Sequence, residues 1–259
     1  GYKKNKFSSF VSLNHDKTGG HRKNSEFKIT NGYVKLGYEL NPVLNINTDF
    51  SLARFKTTDP GPDTINALAG NSLDITRGYW SLAADNNSGR FSGTAKLFYN
   101  FGEHKISDGF HSNDKNYGIN IYETARLFAG NNLTLGADYL VYGGKAENEI
   151  YDSFITDTAV YDAGIYAFTQ QTFFEKLTFN AGLRLQKHKI YGSEWIPAGG
   201  FSWKVLKNTT WKASVSKGFR SPTIRELFVW NHNVNLNPES VINYETSFLQ
   251  SFYDKKINL

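Results

Sequence analysis

The feature that most constrains this chain is a long alternation of apolar and polar residues with a period of two. From Leu177 to Tyr191 the odd positions Leu177, Phe179, Ala181, Leu183 and Leu185 are apolar. The even positions Thr178, Asn180, Gly182, Arg184, Gln186 and His188 are polar, charged or glycine. Successive side chains of a strand point to opposite faces, so this segment has one greasy face and one wet face. A helical repeat does not fit the same residues. The pattern recurs at Val34–Leu40, Phe91–Phe101, Leu133–Val141, Trp211–Phe219 and Ile242–Phe252, and less cleanly at 73–85, 117–129 and 160–173.

The links between these segments alternate in length. Short turns fall at Asn41-Pro42, Asn86–Gly89, Gly130–Asn132, Phe174–Lys176, Lys207-Asn208 and Tyr253–Lys256. Longer polar links fall at His15–Asn24, Thr58–Ser72, Glu103–Asn116, Ala146–Asp157 and Ser221–Ser240, with a short exception near Gly192-Ser193. Short turns on one side and long loops on the other are the habit of an outer-membrane barrel. The strands number about thirteen, each about 10 to 16 residues, whereas sandwich strands average nearer 5 to 6. The expected fold is all-β: an antiparallel transmembrane β-barrel segment of long meander strands. Residues 1–259 read as one partial barrel domain, with no linker or low-complexity tract.

Bulk hydropathy does not contradict this. Mean hydropathy is −0.48, and no run approaches the ~18 apolar residues of a membrane helix. A barrel strand meets lipid with every second residue only, so its mean stays low. The 20 Phe, 15 Tyr and 5 Trp suit membrane interfaces, where an aromatic ring is part dry and part wet. The net charge of +5 is spread singly along strands, with its densest patch at Lys3-Lys4-Asn5-Lys6. A nucleic-acid binder concentrates its charge in a patch or stripe, and none is expected here. Cysteine is absent, which removes disulfides and thiolate metal sites. Methionine is absent too, and the chain starts at Gly1. It therefore reads as a segment of a longer protein.

One corner carries a family resemblance. Gly218-Phe219-Arg220-Ser221-Pro222-Thr223, followed by Glu226-Leu227, is similar to the GFRxPT-xxEL box of TonB-dependent receptors. After a loop, Asn235-Leu236-Asn237-Pro238-Glu239 and then Asn243-Tyr244-Glu245 resemble that family's return strand. Gly20–Ser25 also looks like an early barrel loop of the family. In physical terms, Phe219 should face lipid at the outer interface and Arg220 the wet lumen. Pro222 should end one ladder, since proline donates no backbone hydrogen bond, and Pro238 should precede the next. The resemblance implies a plug inside a barrel of about 22 strands and coupling to TonB. Neither plug nor TonB motif is visible, so the barrel is expected to be unclosed.

All six histidines, His15, His21, His104, His111, His188 and His232, fall on the long-loop side. Imidazole is the commonest metal ligand. Haem receptors of the family are similar in placing a histidine between two such boxes, which singles out His232, with Trp230 beside it. His104 and His111 are further ligand-binding candidates. The second box has Val234 where the haem pattern has proline. No intrinsic cofactor is expected; haem or an iron chelate would be cargo. No GxSxG elbow, HExxH helix, P-loop or dinucleotide fingerprint is present, and no nucleophile–base pair stands out, so no enzyme is expected. The reading is a Gram-negative outer-membrane receptor, in contact with lipid, an extracellular small molecule and TonB, taking up an iron chelate, haem or cobalamin. The alternatives are a passive porin-like channel, with Lys35, Lys96, Arg184 and Lys212 as lumen charges, and a surface adhesin.

Overall fold

The computed structural model describes residues 1–61, 70–229, 232–252 and 257–258. The strands are β1 (Tyr2–Lys4), β2 (Phe7–Thr18), β3 (Phe27–Glu39), β4 (Leu44–Asp59), β5 (Asn71–Asn87), β6 (Phe91–Ile106), β7 (Phe110–Ala125), β8 (Asn131–Asn148), β9 (Ser153–Phe173), β10 (Leu177–His188), β11 (Gly192–Leu206), β12 (Thr209–Arg220), β13 (Glu239–Phe252) and β14 (Ile257–Asn258). They form one sheet in strict chain order, β1 through β14, and every neighbouring pair is antiparallel. The expected meander of about thirteen strands is thus met by long strands with a short one at each edge. The first and last strands do not pair, so the sheet is not closed.

The register sorts the residues into faces. Phe173, Phe179, Phe201, Trp211 and Phe248 form a row across five strands, with ring centroids 4.8–6.3 Å apart. It lies next to the short turns. A second aromatic row, Trp80, Tyr99 and Tyr117 with Tyr139 and Tyr161, lies toward the other end. On β9, Phe173 and Tyr161 belong to the two rows. At ~3.3 Å per residue and ~40° tilt, the rows are about 30 Å apart, as the two aromatic girdles of a membrane barrel should be.

Crossing a membrane takes about 9–11 residues of tilted strand. β8 has 18 residues and β9 has 21, so both run well past the outer girdle. This corrects two expected loops. Glu103–Asn116 and Ala146–Asp157 are mostly strand, closed by hairpin links at 107–109 and 149–152. Beyond the girdle the outward face no longer meets lipid, sustained apolar alternation loses its cause, and a strand there reads as a polar loop.

Candidate functional site

The longest connection at the outer end among the described residues, 221–229 with 232–238, does not project away from the barrel. Pro222, which is buried, ends the β12 ladder. Thr223-Ile224-Arg225-Glu226 then forms a capping box and starts the short helix α1 (Ile224–Phe228). Thr223 Oγ1 accepts from the Glu226 amide at 3.2 Å, and Glu226 Oε2 accepts from the Thr223 amide at 2.8 Å. One helical turn is not stable by itself; it persists because it buries apolar surface. Leu227 is 2% exposed. Val229 packs with Phe110 and Ala146, with Ile106 and Ile155 against them. Those residues belong to β6–β9, three to six strands from β12. At ~4.8 Å per strand the wall distance is about 15 to 30 Å. A nine-residue link makes that contact by cutting across the concave side, so the segment lies inside the mouth.

Its entry and exit are fastened together. Arg220, at the end of β12, faces Glu239, at the start of β13. Its guanidinium donates to Glu226 at 3.1–3.2 Å and to Glu239 at 3.1–3.3 Å. Glu239 and Glu226 raise the Arg220 pKa further. Arg220, with help from the Thr223 amide, holds Glu226 down to about 2. Glu239 is lowered by the same guanidinium. Arg220 is therefore the centre of an ion-pair clamp rather than a lone lumen charge. Gly218 and Phe219 pair with Val241 and Ser240 just below it.

A second fastening comes from the β10–β11 hairpin. Tyr191 donates its hydroxyl to the Leu236 carbonyl at 3.0 Å. Its ring stacks on His188, centroids 4.9 Å apart. His188 is 2% exposed. Its Nδ1 accepts from the amides of Ile190 and Tyr191, so Nε2 carries the proton and donates to Tyr142 Oη at 3.1 Å. Burial lowers its pKa and keeps it neutral. His188 is thus a satisfied wall residue with both nitrogens engaged.

On the same inner face, Arg77 reaches across Gly102 to Asp114, Nη1 to Oδ2 2.5 Å, and its Nη2 lies 2.6 Å from His104 Nε2. Only glycine permits this: a Cβ at residue 102 would collide with the Arg77 guanidinium. Arg184 reaches across Gly164 to Asp138 in the same way, with bonds of 2.6 and 2.8 Å. Arg184 is therefore a paired wall residue, not a free selectivity charge. An arginine only donates, so His104 Nε2 accepts and the ring is neutral. Burial, then Arg77, lowers the His104 pKa, while Asp114 raises it.

His111 is on the other face of the wall. It pairs with Lys105 and Glu147 across neighbouring strands, while His104 pairs with Ile75 and Ser112. Two histidines expected in one loop are thereby separated by the sheet. His111 Nδ1 is 2.6 Å from Glu149 and Nε2 is 3.1 Å from Glu103. One ligand atom each of His111, Glu147 and Glu149 lie within 4.8 Å of one another, a donor set that zinc accepts. Both ring nitrogens already have carboxylate partners, and Lys145 and Lys105 neutralise Glu147 and Glu103.

His232 is exposed in the re-entrant segment, and Trp230 lies outside the described residues. Asn235 donates its amide to Asn233 Oδ1, and Pro238 directly precedes β13. Asn243, Tyr244 and Glu245 pair with Ser216, Val215 and Ser214, well below the mouth, and Tyr244 is 78% exposed on the lipid-facing side. The box residues thus divide between a mouth clamp and ordinary wall. Sequence reading missed Tyr142, Tyr191 and Arg77. The Thr223–Glu226 spacing of the capping box was a signal for the helix; for the others only the strand register supplies one.

No curated protein matches the chain in sequence. The fold is that of the siderophore receptor PirA from Pseudomonas aeruginosa, at 15% identity and TM-score 0.83, covering 98% of this chain and 48% of that one. The FrpB iron transporter of Neisseria meningitidis is similar at 15% identity and TM-score 0.79, covering 96% and 48%. The alcaligin outer-membrane receptor FauA from Bordetella pertussis is similar at 13% identity and TM-score 0.78, covering 98% and 42%. The chain thus spans about half the length of these structures or somewhat less. The family profile described as TonB dependent receptor-like, beta-barrel, matches residues 5–259. The chain belongs to the TonB-dependent receptor β-barrel family.

Proposed function

We propose that this chain forms part of the wall and mouth of a Gram-negative outer-membrane receptor that imports a ferric chelate, with TonB supplying the energy. The observation that carries this reading is the family match over residues 5–259, joined to a corner whose box residues close on one another as a clamp. The clamp holds residues 221–238 inside the mouth, where an arriving ligand meets them. Names of the similar structures, a siderophore receptor and an iron transporter, support an iron cargo.

Within iron cargoes the mouth favours a chelate over haem. A haem ligand needs a free imidazole nitrogen. His188 has both engaged, and His104 Nε2 is held by Arg77. Haem binding then falls to the exposed histidines, His232 in the segment and His15 and His21 at the first outer link, of which His232 alone lies in the mouth segment. Two measurements separate these readings. Cells making the full-length protein should accumulate ⁵⁵Fe supplied as a hydroxamate or catecholate chelate, and uptake should stop when the proton gradient is collapsed. Equal uptake without the gradient would return the passive-channel reading. Haem titrated into the purified full-length protein should leave its absorption unshifted; a shift lost in His232→Ala would replace the chelate by haem.

A further inference from the structure

The outward face of the wall changes character at its outer end. On β4, Phe50, Leu52, Arg54 and Lys56 follow one another on that face; on β2, Val11, Leu13, His15 and Lys17 do the same. The lipid-facing column thus ends in cations. The register lines these ends up. Lys17 stands opposite Lys28, Lys28 opposite Lys56, Lys56 opposite Asp74, and Asp74 opposite Lys105. All four lysines are exposed. A concavity of 570 Å³ is lined by the four lysines, with Asp74 and Glu26.

Like charges directly opposite on neighbouring strands destabilise a sheet, and the protein compensates only part of this row. Arg54 and Lys56 share Asp74, at 2.6 and 2.7 Å, and Lys105 takes Glu103 at 2.9 Å. Lys17 and Lys28 have no ion-pair partner among the described residues. The surplus of positive charge therefore gathers on β2–β4, above Leu13 and Leu52 of the same face, with His15 and Arg54 between.

We infer that this row is a binding site for the phosphorylated headgroup of an outer-leaflet lipid. The acyl chains would lie against Leu13, Leu52 and Phe50, and the phosphates would sit between Lys17, Lys28 and Lys56. Charge complementarity demands an anion. Continuity with the lipid-facing column makes its source a lipid rather than a free ion. The site is on the face of the wall opposite the mouth, so its failure leaves the uptake reading untouched, and the reverse.

The test uses the full-length protein in detergent and diphosphoryl lipid A as the probe, with retained lipid counted by native mass spectrometry. Wild type should retain the probe. The Lys17→Gln/Lys28→Gln/Lys56→Gln variant should weaken retention on the order of a hundredfold, at about tenfold or less per surface lysine. Heat-dependent gel mobility checks that the variant barrel is folded, and Lys28→Glu alone should weaken retention in the same direction. Inorganic phosphate in large excess should not displace the lipid. Equal retention by the triple variant, equal retention of the dephosphorylated lipid, or displacement by free phosphate would each overturn the assignment.

Discussion

The lower wall and the outer mouth are made from the same strands, yet they obey different rules. On the lower part of β10, Leu183 faces lipid between Ala167 and Pro197, while Arg184 on the inner face crosses Gly164 to Asp138. Two solvents meet that stretch, one on each side, and the sequence alternates because the solvents do. At the outer ends of β6–β9 the outward face is wet, and the inner face carries only the small apolar patch under the mouth segment, Ile106, Phe110, Ala146 and Ile155. There the sequence stops alternating although the backbone ladder continues through Lys105–His111 and His111–Glu147, and between β8 and β9 with one irregularity at Ala146/Glu147. Backbone hydrogen bonds hold a strand regardless of its side chains. Patterning reports only what each face touches.

The largest effect follows from placing one charge in each region. Leu183→Arg puts a cation on the lipid face in mid-wall and should cost about 2–4 kcal/mol. Asn113→Arg, on the same face but on the extension of β7, should change stability by no more than about 0.5 kcal/mol. Urea unfolding from lipid vesicles measures both. Equal losses would mean that the extensions are not in water, and the contrast between the regions would fail.

The mouth segment provides the next contrast, between local and global stability. Leu227 is buried in the mouth segment, whose helix α1 packs against β9. Leu227→Ala removes a buried aliphatic side chain, a change that costs about 2–5 kcal/mol in well-packed cores. That cost should fall on residues 221–238 alone. Amide exchange there should accelerate while the unfolding midpoint of the barrel stays put. A matching drop in the midpoint would make the segment part of the global cooperative unit instead.

The same segment should answer to acid. Glu226 titrates at about 2 in the folded clamp against an ordinary 4.5, and Glu239 is lowered in the same direction. A carboxylate with a depressed folded pKa stabilises above its unfolded value and loses that contribution as pH falls toward the folded one. The clamp should therefore be intact above about pH 5 and weaken progressively between 4.5 and about 2. Exchange in 221–238 should accelerate over that window, and Glu226→Gln should raise it at neutral pH and flatten the dependence. These charges are exposed, so the effect should be smaller than that of Leu227→Ala.

How much of this was legible in the sequence follows from the same division. β10 could be read residue by residue, since each position of Leu177–His188 has one environment. The corner box could be read as residues, and Pro222 and Pro238 do bound the strands. That Arg220 joins Glu226 to Glu239 was not read, because the pairing is a property of the folded-back helix. Its start signal, Thr223 with Glu226 three residues on, was present. The separation of His104 from His111 was not legible either. Which face each occupies depends on where the hairpin turns, and a turn at 107–109 looks no different from a long loop when both flanks are polar. Arg77, Gly102 and Asp114 form one row only after two registers are fixed.

The smallest effect tests that row. His104 is on the inner face near the boundary between the regions, with Arg77 donating to its Nε2 and Asp114 3.8 Å away. Burial and Arg77 push its pKa below the ordinary 6.5, and Asp114 opposes them. A histidine whose folded pKa is lowered favours the folded state while neutral. Its contribution is present above 6.5 and declines as pH falls through that value toward the folded one. The variants should move the titration in opposite directions. Arg77→Gln removes the neighbouring cation and should raise the His104 pKa; Asp114→Asn removes the anion and should lower it. Site-resolved histidine C2–H exchange across pH 4–8 reads both. Shifts in the same direction would mean that desolvation alone governs His104, and that the row across Gly102 is packing rather than charge. Opposite shifts would mark where the wall's inner face passes from ion pairs built into the barrel to side chains that answer to the medium outside.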